Sequence, residues 1–261
     1  MDTIKKVIGD GRLSGIALVV GLLVLWEASV RLGWVNTPTW PAVTTVFRTF
    51  WDELVNGVYF NTFGPSLKRL ALGYVIASVL AISFGIAMGI WPRVYATFEP
   101  LIELLRPIPS PAYLPMAIIF LGIDDTMKVF MVAFASFFPI LLNTVTGVRN
   151  VDSVLLDTGR TFGLSKAQIT WRIIIPAASS YILTGMRISL AVALIVTVIA
   201  EMVAGNSGIG FYILSAQRSF LMPEMYAGVI ALALVGFGLN KGFVAIENKL
   251  LAWNEGWNAS T

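Results

Sequence analysis

The chain has neither cysteine nor histidine in 261 residues. Without cysteine there is no disulfide framework, no thiolate metal site and no thiol nucleophile; without histidine the commonest general base and metal ligand are missing. Charge is scarce too. Only 13% of the residues are charged, against roughly a quarter in soluble domains, and 57% are hydrophobic. The net charge of +3 is small, and no basic run offers a surface to nucleic acid. No G-x-x-x-x-G-K-S/T stretch is present to cradle a nucleotide phosphate. GNSGIG at 205–210 is rich in glycine, but no strand precedes it and no lysine follows, so it reads as a turn. What remains is an integral membrane protein in which most enzyme chemistry lacks its usual side chains.

A helix needs about 20 mainly apolar residues to cross the hydrocarbon. Six stretches qualify, at 13–32, 68–91, 98–122 (broken), 127–148, 177–203 and 225–250, giving an all-α chain with one transmembrane domain over 1–261. Leu70–Trp91 and Val129–Val148 contain no charge. The third stretch carries Glu99, Glu103 and Arg106 and then PIPSPAYLP, where Pro107, Pro109, Pro111 and Pro115 forbid a continuous ladder of helix hydrogen bonds. Irregular backbone at membrane depth survives only where protein or water satisfies it, so this segment should face other helices or a pathway. Lys5, Lys6 and Arg12 before an apolar run look like a signal peptide, but Glu27 and Arg31 stand where small cleavage-site residues belong. The expectation is a retained first span.

Lysine and arginine in short loops orient such a chain. With six spans both ends share one side, which would hold Lys5, Lys6, Arg12, Arg93, Arg149, Arg160, Lys166, Arg172 and Lys249. The other side would hold Arg48 and Arg218, balanced by Asp52, Glu53, Asp124, Asp125 and Glu224. The expectation is that both termini are cytoplasmic. Lys68 and Arg69, at the outer end of the second span, dissent. In the long outer loop 36–62, Val43–Val55 has apolar residues at helical spacing with Trp51, which fits a helix lying on the membrane surface.

The longest polar interruption is Asn150–Trp171, on the cytoplasmic side by this count. Asp152 or Ser153 can cap a helix reaching Thr161, and Gly163 supplies a left-handed residue to end it. Ser165 with Gln168 forms a capping box that starts a second helix at once. That helix runs toward Ile175 and should yield at Pro176, which suits the first turn of a new helix. A helix, tight turn, helix element therefore stands clear of the bilayer at 150–175.

DTGRTFGLSKAQITWRIIIPAASSYILTGMRISL resembles the cytoplasmic EAA loop of ABC importer permeases of the binding-protein-dependent type. In that loop an E-A-A-x-x-x-G core precedes an apolar stretch and a proline. Asp157, Thr158 and Gly159 take the place of E-A-A, Gly163 is the glycine, and Ile173, Ile174, Ile175 and Pro176 match the tail. Asp157 is one methylene shorter than glutamate, and Gly159 costs a helix interior about 1 kcal/mol relative to alanine. RPIPSPAYLP, from Arg106 to Pro115, is similar to the R-P-x-P-x-x-A-W/Y-x-P signature of permeases for nitrate, taurine and alkanesulfonates. ILTGMRISL (Ile182–Leu190) and AEMVAGNSGIGF (Ala200–Phe211) are similar to the same subgroup.

The resemblance implies a type I ABC importer permease: six helices forming the pathway for a small solute, an anion such as nitrate, taurine or another sulfonate. It implies that Asp157, Arg160, Thr161, Phe162, Gly163, Leu164 and Ser165 couple the chain to an ATPase. It also implies a second permease copy, a solute-binding protein outside the membrane, location in a bacterial inner membrane, and no cofactor on this chain, ATP and magnesium belonging to the ATPase. The candidate pathway residues are Pro109, Pro111, Tyr113, Arg187 and Glu201. Glu201 follows an uncharged run and reads either as a pathway residue or as an interfacial carboxylate paired locally, accepting hydrogen bonds from nearby amides or hydroxyls. Arg187 lies fourteen residues earlier, about 21 Å along a helix. It reads either as an anion-attracting group or as a side chain reaching the headgroups. Gly73, Gly85 and Gly89 include a G-x-x-x-G pair that permits close helix contact. A secondary transporter or channel acting without an ATPase is the rival reading, although neither internal repeats nor paired mid-membrane charges stand out. No acid and base pair supports a membrane enzyme.

Overall fold

The computed structural model describes residues 11–252, and all of its elements are helical. Lys5 and Lys6, counted above for orientation, lie outside the described residues. In order, the helices are α1 (Gly11–Arg31), α2 (Val43–Val55), α3 (Val58–Ile90), α4 (Pro92–Leu105), a 3-10 turn (Ser110–Tyr113), α5 (Leu114–Leu121) and α6 (Asp125–Arg149). There follow α7 (Ser153–Thr161), α8 (Lys166–Ile169), a π turn (Thr170–Ile174), α9 (Ile175–Ala204), α10 (Ile209–Arg218) and α11 (Met222–Leu250). Among the described residues, five helical stretches are long and apolar enough to cross a membrane: Ser14–Arg31, α3, α6, the unbroken Lys166–Ala204 and α11. The pair Pro92–Leu105 and Ser110–Leu121 makes a sixth when taken together, bent by 88°. The bend falls where the prolines cluster. Pro109 precedes the 3-10 turn as its N-cap residue, and the Tyr113 hydroxyl joins the Ile108 amide in donating to the Leu105 carbonyl at the end of α4 (3.3 Å each).

Two boundaries differ from the sequence expectation. α3 starts at Val58, ten residues before 68, because Ser66 and Arg69 are buried against protein rather than left in a loop. Pro176 stands at the start of a new α-helix, as expected, but no break precedes it. It sits in the first turn of α9, and the preceding backbone widens into a π turn in which the Ile175 amide donates to the Thr170 carbonyl, so the chain continues without a break.

The chain divides into two compact units. The first comprises residues up to Asn61 together with Tyr212–Leu232. In it the Trp26 indole donates to the Pro41 carbonyl (3.0 Å), and its ring lies 5.2 Å from Trp40 and 5.5 Å from Tyr226. Glu27 accepts from Arg31 and from both the amide and hydroxyl of Thr44, so this carboxylate is neutralised locally. α2 turns Val43 and Val46 inward and leaves Phe47, Trp51 and Val55 exposed. Tyr212 donates to Glu53. Burial, reinforced by that carboxylate, pushes the Tyr212 phenol above its ordinary pKa and keeps it a donor.

The second unit comprises Thr62–Phe211 and the chain from Ala233 onward, with α6 gripped by α3 and α9. α3 places Gly73, Ala77, Ala81, Gly85 and Gly89 at intervals of four, on one helix face. A Cβ on Gly73 would fall 2.7 Å from the Val129 carbonyl, and one on Gly85 2.7 Å from Thr144 Cβ. Gly147 and Gly185 allow the same approach between α6 and α9, against Tyr181 and Asn143. The small-residue pattern of α3 thus serves close packing inside this chain. Gly73→Leu is expected to destabilise the solubilised protein by about 1–3 kcal/mol through overpacking; an unchanged thermal unfolding midpoint in detergent would contradict this packing.

Candidate functional site

Two polar regions stand out against the apolar helices. The first is the island at 150–175. Asp152 Oδ1 accepts from the Val154 amide (2.8 Å) and starts α7. At the far end the Leu164 amide donates to the Gly159 carbonyl (3.0 Å) and the Gly163 amide to the Arg160 carbonyl (2.9 Å), while Gly163 holds φ at +72°. These are the paired bonds of a Schellman cap. The next helix begins two residues later, with the Ser165 amide donating to Gln168 Oε1 (2.8 Å) and the Gln168 amide to Ser165 Oγ (3.3 Å).

Behind the turn, Val151, Leu156 and Ile169 pack on Val148, Ile174, Ala178 and Ile182. Gly159 is buried there, and an added Cβ would meet Ile173 Cδ1 at 2.6 Å, so glycine in the E-A-A place lets α7 lie close to the helix that follows. Asp157 pairs with Arg160 (2.7 Å), both side chains exposed. Val154, Leu155, Phe162 and Trp171 are exposed although large and apolar, and Phe162 is 81% exposed at the tip of the turn. Leu164 and Thr161 lie beside it, Thr161 donating to the Asp157 carbonyl (2.9 Å).

The helical stretch that leaves the island, Lys166–Ala204, is 39 residues long, and the second region lies at its other end. Glu201 is wholly buried there. Its carboxylate accepts from Arg69 Nη1 (2.7 Å), from Ser66 Oγ (2.8 and 2.9 Å) and from the Gly210 amide (3.0 Å). Ser66 Oγ also accepts from the Ile209 amide (2.9 Å). Arg69, 3% exposed, donates through Nε to Asp125 (2.7 Å) and through its remaining nitrogens to the Ser207 carbonyl and hydroxyl (2.9 and 2.8 Å). The turn at 205–208 can fold over Glu201 only with glycine at 208: Gly208 has φ +106°, and a Cβ there would lie 2.2 Å from Glu201 Oε1. Residues 205–208 of GNSGIG are therefore a turn, as expected, leading into α10 at Ile209, and they also cover a buried ion cluster. A cavity of about 530 Å³ adjoins the cluster, walled by Ile118, Ile123, Asp125 and Lys128 on one side and by Val203, Gly205 and Asn206 on the other.

Glu201 is thus paired with the Ser66 hydroxyl, the Gly210 amide and Arg69, the residue that the sequence places at the outer end of the second span. Ser66, Arg69, Asp125 and Ser207 are not among the site residues expected from sequence. The one available signal was that Lys68 and Arg69 broke the charge asymmetry of the loops. Arg187 donates to the wholly buried Glu247 of α11 (3.3 Å), a partner on another helix. Tyr113 packs its ring 4.9 Å from Phe134 and bridges the break after α4, while Pro109 and Pro111 shape that break. The five pathway candidates are not gathered at one point: Arg187, fourteen residues and about 21 Å along the helix from Glu201, pairs with Glu247.

Residues 70–248 match the family described as the binding-protein-dependent transport system inner membrane component. The chain belongs to this family. Among its relatives, the taurine transport system permease protein TauC of Escherichia coli is 37% identical over 206 residues, covering 79% of this chain and 72% of TauC. The bicarbonate transport system permease protein CmpB of Synechocystis is 31% identical over 244 residues, covering 90% and 86%. The fold is that of a solved MetNI methionine ABC transporter in inward-facing conformation, with a TM-score of 0.65 at 15% identity over 76% of this chain and 95% of that one. The chain is accordingly a multi-pass, all-helical permease subunit of an ABC importer, and the island at 150–175 lies within the matched residues.

Proposed function

We propose that this permease subunit forms, with a second copy of itself, the pathway of an inner-membrane importer for a small oxyanion, taurine or another sulfonate, nitrate or bicarbonate. The island and both termini face the cytoplasm. A separate ATPase subunit binds ATP and magnesium and docks on the island, and a solute-binding protein delivers the solute to the opposite side. This chain itself holds no cofactor. The substrate class rests on TauC and CmpB, which are named for two small solutes that each carry an oxyanion. The reading with an ATPase is favoured over a transporter acting alone by one observation, the largely exposed Phe162 on a turn held between two capped helices.

An exposed phenylalanine on a rigid turn is what a docking anchor needs: apolar area to bury and little conformational freedom left to lose. When the ATPase closes on ATP, the island moves as one piece and passes the motion to the helix that starts at Lys166. The coupling residues then divide by role. Asp157 and Arg160 hold the α7 face, Thr161, Gly163, Leu164 and Ser165 hold the turn, and Phe162 makes the contact.

Gly163→Val tests this reading. A β-branched residue at φ +72° is strained, so the turn should open and Phe162 should lose its position. ATP-driven uptake into proteoliposomes is expected to fall by at least about tenfold, the equivalent of roughly 1.4 kcal/mol, while the chain still inserts. Uptake and ATPase stimulation equal to wild type would sink the lever.

A further inference from the structure

The cluster around Glu201 has one strong end and one weak end. Its strong end joins α3, α9 and the 205–208 turn: Glu201 and Arg69 are both buried, and Ser66, Gly210 and Ser207 complete their hydrogen bonds. Removing one member of a buried, fully bonded pair leaves a charge without solvent, whereas a half-exposed pair can be traded for water. Asp125 is the weak end. Its side chain is 55% exposed, it belongs to the first turn of α6, and a second cation waits beside it. Lys128, 1% exposed, has its ammonium 3.7 Å from Asp125 and 3.2 Å from the Ile123 carbonyl. The 530 Å³ cavity opens along the same seam, with the end of α5 and the start of α6 on one wall and the end of α9 with the following turn on the other.

We propose that the Arg69–Asp125 pair is the releasable contact of the gate on the side facing the binding protein. α3, α9 and the 205–208 turn stay clamped through Glu201, while the start of α6 and the end of α5 swing away as Asp125 changes partner from Arg69 to Lys128. The inference rests on the importer reading above for its side of the membrane and its energy source. It assigns Asp125 a positioning role in opening and no contact with solute. Two cations bracketing one exposed carboxylate permit the exchange without stranding a charge: Arg69 keeps Glu201 and Ser207, and Asp125 keeps a cation throughout.

The test is ATPase activity of the reconstituted complex, this chain with its ATPase and binding protein in proteoliposomes. Asp125→Asn removes the charge from an exposed position and keeps the shape. The gate should then open without the binding protein, raising the unstimulated ATPase rate about fivefold, the worth of a partly exposed ion pair. Asp125→Glu should return the rate to near the wild-type value. Lys128→Met removes the competing cation, so Arg69 holds Asp125 harder and binding-protein-stimulated uptake should slow severalfold. An unstimulated rate in Asp125→Asn within twofold of wild type, or a lower one, overturns the proposal. So does an effect of Lys128→Met in the same direction as Asp125→Asn. A wild-type complex whose ATPase ignores the binding protein would fail at the earlier step and overturn the importer reading itself.

Discussion

Glu201→Ala should destabilise the chain by about 3–5 kcal/mol, among the largest losses available from a single side chain here. The alanine leaves Arg69 buried at 3% exposure with its cation facing an empty site, and only half-exposed Asp125 to answer it. It also strips the acceptor from Ser66 and from the Gly210 amide, so the turn that covers the cluster loses its anchor. The expected result is a large fall in the detergent unfolding midpoint. Arg69→Met combined with Glu201→Leu should recover part of it, because a buried pair replaced by apolar groups of similar size is often neutral. Recovery should be incomplete, since the Gly210 amide remains unmet. A single variant as stable as wild type would mean that water reaches Arg69 freely, and the buried cluster would have to be given up.

Phe162→Ala carries the largest expected effect on function. The side chain is 81% exposed, so the permease itself should lose almost nothing in stability. If it is the anchor of the ATPase contact, truncation should weaken association by about 2 kcal/mol or more, roughly a 30-fold rise in Kd. The check is titration of the purified ATPase onto the permease in nanodiscs, with uptake measured in parallel. Association within threefold of wild type would show that the apolar tip is not where the ATPase binds.

The island was the most legible part of this molecule, because caps are local chemistry. Asp152, Gly163, Ser165 and Gln168 act through bonds to residues two to five positions away, and the structure forms each of them. The ion cluster was illegible for the opposite reason. Ser66, Arg69, Asp125, Glu201 and Ser207 are spread over 141 positions, and only the packing of α3 against α6 and α9 brings them together. A hydropathy reading pushed Arg69 out to a loop, since it credits a charge with its cost in lipid and cannot see a partner on another helix. The continuity of the chain through Pro176 was missed likewise: a proline is expected to interrupt an α-helix, and the widened turn that accommodates it leaves no compositional mark.

That widened turn sets a phase. Between the docking tip and Glu201 the backbone winds through one stretch in which hydrogen bonds reach back five residues instead of four. Each residue of an α-helix turns the chain by about 100°. Were all the residues of 170–174 wound instead as regular α-helix, with none removed, Arg187, Glu201 and everything between them would rotate by about that angle relative to the island, because the widened turn is what absorbs the extra residue. Glu201 would then point away from Arg69 while Phe162 kept its place. The two polar ends of this helix are thus keyed to each other like the ends of a crankshaft, and a single position in the π turn decides whether they face together.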